Sequence, residues 1–179
     1  MKRLAAAVLA LSLVAAPAWA ALKVGVTAPD FTTTAFKGGQ PSPFKLSTAL
    51  RKGPVVLYFF PSAYTSGCTV EAHEFAVATP EFAAMGASVI GVTAGRVEDL
   101  AKFSKEECRD AFPVAGVTKE TIKAYDAVLA FKPNLSDRTT YVIAPDGKIL
   151  LAYTALTDPV SHIAKAKEAV AAWRRAHAK

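Results

Sequence analysis

Residues 54–61 read Pro54-Val55-Val56-Leu57-Tyr58-Phe59-Phe60-Pro61. This is an unbroken apolar run, rich in β-branched and aromatic residues, closed by a proline. Such a run reads as a strand buried on both faces. A helical stretch follows from Cys68 to Met85, with Phe75, Phe82 and several alanines on its apolar stripe, and Gly86 stops it. Ser88 to Thr93 is a second buried strand. Val97 to Ser104, or a little beyond, is a second helix with Leu100 and Phe103 facing inward.

Beyond this centre the signals are shorter. Val24 to Ala35 is extended and contains Ala28-Pro29-Asp30-Phe31. Gly38-Gly39-Gln40-Pro41-Ser42-Pro43 reads as a loop. Ser47 to Leu50 is one helical turn, Ala111 to Ala115 a short extended piece, and Thr118 to Tyr125 a short helix. Thr139 to Ala144 and Lys148 to Tyr153 are strands joined through Pro145-Asp146-Gly147, a hairpin signal. Asp158 caps the last helix, Pro159 takes its first position, and Val160, Ile163, Val170 and Trp173 form its buried stripe. The order is strand, helix, strand, helix, hairpin, helix. A parallel pair followed by an antiparallel pair, flanked by helices, predicts an α/β protein. Its fold is thioredoxin-like, with a central mixed sheet and an N-terminal extension.

The first twenty residues read differently. Lys2 and Arg3 precede an apolar stretch from Leu4 to Ala16, and Ala18-Trp19-Ala20 is a small-x-small cleavage site. This is the pattern of a secretory signal peptide over residues 1–20. The apolar stretch is short for a span of about 20 residues. Residues 21–179 then form one domain, and the expected location is the periplasm, without stable membrane association after cleavage. Disulfides persist in that compartment. The whole chain has 179 residues, 52% hydrophobic and 20% charged, which excludes general disorder. The formal net charge of +6 is not gathered into a run. The basic residues of the last helix, Lys165, Lys167, Arg174, Arg175 and Lys179, read as a solvated face, so no nucleic-acid partner is expected.

Chemistry concentrates just past the first buried strand. Cys68 stands at a strand-to-helix turn, where open α/β sheets bind ligands. A helix N-terminus offers unpaired N–H groups and partial positive charge, which favour a thiolate over a thiol. That is what a nucleophilic sulfur needs. Thr65 brings a hydroxyl near the sulfur, and Pro61 closes one side of the pocket. His73 is not a base for Cys68, because five helical residues turn through roughly 140° and point the side chains apart. Cys68, Cys108, His73, His162 and His177 lack metal-ligand spacing, so no metal is expected. Phe31, Phe59 and Phe60 read as core. Tyr64, Phe82 and Phe112 read as the pocket mouth or a dimer surface.

Pro61, Thr65 and Cys68 together make Pro-x-x-x-Thr-x-x-Cys. This resembles the peroxiredoxin signature. Cys68-Thr69-Val70-Glu71-Ala72-His73-Glu74-Phe75 is similar to the branch named for bacterioferritin comigratory proteins and peroxiredoxin Q. The resemblance runs from about Val24 to Trp173 and includes Arg138-Thr139-Thr140-Tyr141-Val142-Ile143. Ser66 departs from it, standing where many members carry proline. The resemblance implies a peroxidase that needs no haem, flavin or metal cofactor. Cys68 would be the peroxidatic sulfur and pass through a sulfenic acid. Thr65 would hydrogen-bond the sulfur and the peroxide, and Arg138 would stabilise the thiolate and the leaving oxygen. The N–H groups of Gly67 and Cys68 would complete the pocket, and Glu71 would orient an arginine.

Some members of the branch carry a resolving cysteine five residues after the first; here that position is His73. Cys108 is the other sulfur, with charged flanks at the end of the second helix. The resemblance implies that it resolves Cys68 in an intramolecular disulfide. Cysteines whose Cα atoms lie more than about 7 Å apart cannot bridge without movement, so the first turn around Cys68 and the stretch around Cys108 would unwind in each cycle. The implied partners are a peroxide substrate and a thioredoxin-like thiol reductant, and the implied state is a monomer or weak dimer. Three alternatives stay open on the residues alone: a one-cysteine enzyme with Cys108 idle, a thiol–disulfide exchange protein, and a non-catalytic protein stapled by a Cys68–Cys108 disulfide.

Overall fold

The structure, a computed structural model, describes residues 21–178. The signal-peptide reading of residues 1–20 lies outside the described residues. One seven-stranded sheet carries the molecule. Its strands are β1 (Thr32–Lys37), β2 (Gln40–Lys45), β3 (Val55–Phe59), β4 (Ser88–Thr93), β5 (Val114–Gly116), β6 (Thr139–Ile143) and β7 (Ile149–Thr154). They lie side by side in the order β2-β1-β5-β4-β3-β6-β7. β3, β4 and β5 run parallel, while β6 lies antiparallel to β3 and β7 antiparallel to β6. This is the expected thioredoxin-like mixed sheet.

The helices are α1 (Leu46–Leu50), α2 (Ser66–Ala84), α3 (Leu100–Glu106), α4 (Lys119–Ala124) and α5 (Ser161–Ala176). A single 3-10 turn, Val97–Asp99, leads into α3. The period-2 alternation of β3 splits the core into two layers. Val56, Tyr58 and Phe60 pack with Phe75 and Phe82 of α2, Phe103 of α3 and Val170 of α5. Val55, Leu57 and Phe59 face the other way, toward Ile90, Ile122, Tyr125 and Tyr141. Each buried side chain of this size contributes about 1.5–3 kcal/mol. The continuous apolar run of β3 is thus what lets one strand serve both layers.

Four expectations need correction. Residues 40–45 are not a loop. They form edge strand β2, paired with β1 through Pro41↔Phe36 and Pro43↔Thr34, with Gly38 and Gly39 as the turn. Proline is tolerated at a sheet edge, where its missing N–H faces solvent. The first helix begins two residues earlier than expected, at Ser66, so Cys68 is its third residue. Val160 is exposed rather than buried, because α5 starts at Ser161; Asp158 Oδ1 still accepts the Ser161 N–H at 3.2 Å. Phe82 and Phe112 are fully inside the α2 layer, not at a pocket mouth. The layer between sheet and helices has room for both rings, which the sequence pattern alone does not reveal.

Candidate active site

β3 and β6 bring the key groups together. Their register pairs Phe59 with Thr139, which sets Arg138 across from the end of β3. From that end the chain turns through Pro61 to Thr65 and enters α2. The first helical backbone bond runs from the Thr69 N–H to the Thr65 carbonyl at 2.9 Å. Among the described residues, the N–H groups of Gly67 and Cys68 make no backbone hydrogen bond. These are the free donors expected at a helix start.

Cys68 is only 1% exposed, and Arg138 Nη2 donates to its sulfur at 3.7 Å. Arg138 is itself 4% exposed and held at several points. Its Nε donates to the Leu156 carbonyl at 2.9 Å, and its Nη1 pairs with Glu71 Oε2. Gly67 makes this approach possible, since a Cβ there would stand 2.9 Å from Nη2. The guanidinium therefore bridges a sulfur and a carboxylate in a dry site, where electrostatic effects are strong. Burial of Glu71 pushes its carboxyl up to about 8, against the opposing pull of Arg138.

Other expected residues stand as follows. The Thr65 hydroxyl donates to the Ser62 carbonyl at 3.2 Å rather than to the sulfur. That corrects its expected bond to Cys68: the turn before α2 uses the hydroxyl proton to satisfy its own backbone. The oxygen lone pairs remain free to accept. The Pro61 carbonyl accepts from Thr93 Oγ1 at 3.1 Å, and a Cβ on Gly95 would come within 2.4 Å of it. Pro61 is thus fixed at the rim by β4 and the loop after it. His73 points away from Cys68, with its Nε2 2.7 Å from Glu107 Oε2.

Cys108 is fully buried, although its neighbours Glu106, Arg109 and Asp110 are exposed. Burial pushes its thiol far up, and Glu107 and Asp110 add to that. Both cysteines are free thiols. Arg109 and Asp110 directly after Cys108, and Tyr64 just before the turn into α2, all have left-handed backbone angles. Tyr64 Oη donates to Glu106 Oε2 at 2.8 Å. Two side-chain clasps therefore tie the Cys68 region to the segment that carries Cys108.

Sequence reasoning missed two groups. Tyr58, read only as strand, is buried with its hydroxyl unpartnered among the described residues, and its phenol is pushed up by burial and by Cys108, Glu71 and Cys68. His162, weighed only as a metal ligand, lies 3.9 Å from Glu71 Oε1. A polar residue at an apolar position of an amphipathic helix was the available signal for His162. A shallow cleft lined by Ala28, Asp30, Leu46 and Gly147 lies at the opposite end of the sheet and takes no part in this site.

Comparison with known proteins shows the family. Residues 24–152 match the AhpC/TSA family. The chain is 39% identical over 132 residues to a peroxiredoxin of Mycobacterium tuberculosis, covering 72% of this chain and 83% of that one. It is 30% identical over 131 residues to peroxiredoxin Bcp of Xanthomonas campestris, covering 70% and 78%. The crystal structure of peroxidoxin BcpB from Mycobacterium tuberculosis superposes with a TM-score of 0.72 at 35% identity, covering 84% of this chain and 97% of that one. With a buried cysteine at the start of α2 and an arginine on its sulfur, the chain belongs to the AhpC/TSA family, as a thiol-dependent peroxidase of the Bcp and peroxiredoxin Q branch.

Proposed function

We propose that the peroxidase works through two sulfur steps, Cys68 first and Cys108 second. The observation that carries this reading is Arg138 Nη2 at 3.7 Å from the buried Cys68 sulfur, beside the free N–H groups of α2. The guanidinium and the helix start favour the thiolate. That thiolate attacks one oxygen of a hydroperoxide and the O–O bond breaks. Cys68 becomes a sulfenic acid, and the second oxygen leaves as hydroxide or alkoxide and takes a proton. Arg138 stabilises the charge that moves onto that oxygen. The Thr65 lone pairs accept the hydroperoxide O–H.

In the second step the Cys108 thiol attacks the sulfenic sulfur, forming a disulfide and releasing water. The Tyr64–Glu106 and His73–Glu107 clasps open to let the buried Cys108 travel. A dithiol reductant of thioredoxin type then supplies two electrons and two protons to restore both thiols. The signal-like residues 1–20 support a periplasmic location. The chain acts as a monomer or weak dimer.

Intact-mass thiol counting on the reduced protein, before and after one equivalent of hydrogen peroxide, tests this. Wild type is expected to lose two hydrogens within seconds. Cys108→Ser should carry an oxidised Cys68, and Cys68→Ser should stay inert. A wild-type sulfenic acid with Cys108 still free would replace the scheme by a one-cysteine mechanism.

A further inference from the structure

Tyr64 stands in the turn between β3 and α2 with a φ of 60°. A left-handed backbone is uncommon for any residue but glycine, and an outlier for a bulky aromatic one. Such a residue persists only where its surroundings hold it there. Thr65, the next residue, is extended again and caps α2. The backbone at Tyr64 therefore sets the angle at which the chain enters the helix. With that angle goes the place of Cys68, four residues on.

The grip on the Tyr64 ring comes from α3 and the turn before it. Tyr64 Oη donates to Glu106 Oε2 at 2.8 Å. Phe103 meets the ring edge-on, with centroids 5.3 Å apart. Lys102 Nζ and the Arg96 guanidinium lie 5.9 Å and 5.6 Å from the ring centre. Arg96 is fixed in turn by Asp99, at 2.5 Å. The same stretch of chain holds Cys108. The N–H groups of Glu107 and Cys108 both donate to the Phe103 carbonyl, at 2.9 Å and 3.1 Å. Phe103 thus carries the Tyr64 ring on its side chain and Cys108 on its backbone. Departure of Cys108 breaks those two bonds and loosens the last turn of α3, where Glu106 sits.

We propose that Tyr64 is a positioning residue that couples the two cysteines: while α3 grips its ring, the turn before Cys68 keeps the left-handed form that aligns the sulfur with Arg138, and when the end of α3 opens, the turn relaxes and frees Cys68 to meet Cys108. This rests on the reading of Cys68 as the reacting sulfur and Cys108 as the resolving one.

Tyr64→Ala and Tyr64→Gly together test this. Both lose every ring contact, but only glycine takes the left-handed form without strain. In a Cys108→Ser background, stopped-flow oxidation of Cys68 should slow by about tenfold in Tyr64→Ala, the order of the population shift that a left-handed backbone imposes on alanine. Tyr64→Gly should stay within about threefold of its parent. With Cys108 present, quench-flow mass spectrometry should show the reverse order for the next step. Disulfide formation from the sulfenic acid should be faster in Tyr64→Ala than in Tyr64→Gly, by about threefold or more. Equal first-step rates in the two variants, both fast or both slow, overturn the proposal, because a ring that only packs leaves the same loss in both. Equal second-step rates overturn the coupling. If the parent with Tyr64 intact forms no sulfenic acid at Cys68, or forms no disulfide when Cys108 is present, the reading of that sulfur fails instead. Should Tyr64→Ala not fold, Tyr64→Ser against Tyr64→Asn repeats the comparison, since asparagine visits the left-handed region more readily than serine.

Discussion

The two cysteines are equally buried and very differently held. Cys68 sits in the first turn of a 19-residue helix, with Arg138 on its sulfur and Glu71 behind the arginine. Cys108 follows a helix of seven residues and precedes two left-handed, exposed residues, Arg109 and Asp110. A left-handed backbone costs roughly 1–2 kcal/mol for an ordinary residue, somewhat less for Asp. Besides its packing and short-range backbone bonds such as Cys108 N–H to the Phe103 carbonyl at 3.1 Å, the Cys108 segment is held by two side-chain clasps with partly exposed partners. Equal burial therefore hides unequal freedom. Short, strained, charged segments open first. A sulfur that receives a peroxide has to stay aligned with its charges. In the proposed scheme the second sulfur has to leave its place to reach the first.

That contrast can be broken at four points. The largest effect is expected at Arg138. Arg138→Lys keeps the charge and loses the fork that spans Cys68 and Glu71, so stopped-flow oxidation should slow by about 10²-fold. A rate within threefold of wild type would mean that Cys68 does not depend on this arrangement. Next, Cys108→Ser should leave the first oxidation within about twofold, since truncations away from the reacting sulfur change little. With excess peroxide, mass spectrometry should then find Cys68 as sulfinic acid, because no thiol intercepts the sulfenic acid.

The third point is the clasp. Glu107→Gln weakens the contact with His73, worth up to about 1 kcal/mol in a half-exposed pair. Disulfide formation should quicken by up to about fivefold while the first oxidation is unchanged. Quench-flow mass spectrometry separates the two steps, and a slower disulfide would mean that the clasp guides Cys108 rather than restrains it.

The smallest effect is on stability against pH. Burial raises Glu71 in the folded state to about 8, so its contribution is full below its unfolded value near 4.5 and is lost as pH rises through about 8. Burial lowers His162 to about 4, so its contribution is full above about 6.5 and is lost as pH falls. The two slopes oppose each other between about 4.5 and 6.5, and only the Glu71 slope remains above. Urea unfolding should therefore show a lower midpoint at pH 8 than at pH 6.5, and Glu71→Gln should flatten that difference. An equal slope in both proteins would remove Glu71 as its source.

Much of this was legible in the residues because the signals were local. The apolar run of β3, the alanine-rich α2 and the Pro145-Asp146-Gly147 turn each carry their structure in a few neighbouring side chains. The Cys68 motif is local too, and Arg138 was picked out by its match to the family arginine that precedes a strand. What stayed hidden depends on distant partners. β2 is a strand only because β1 lies beside it, and its two prolines read as loop. The Thr65 hydroxyl turns to the Ser62 carbonyl, a choice made by the folded turn. His162 lies close to Glu71, and residues 91 positions apart in the chain give no sign that they meet.

The two prolines of β2 bear on how the molecule meets its own copies. A sheet edge recruits another strand through its outward N–H groups, and alternation puts Pro41 and Pro43 on one side of the strand. That border offers carbonyls without matching donors. Growth of the sheet from subunit to subunit is blocked there, which keeps this flank closed to fibre-like stacking.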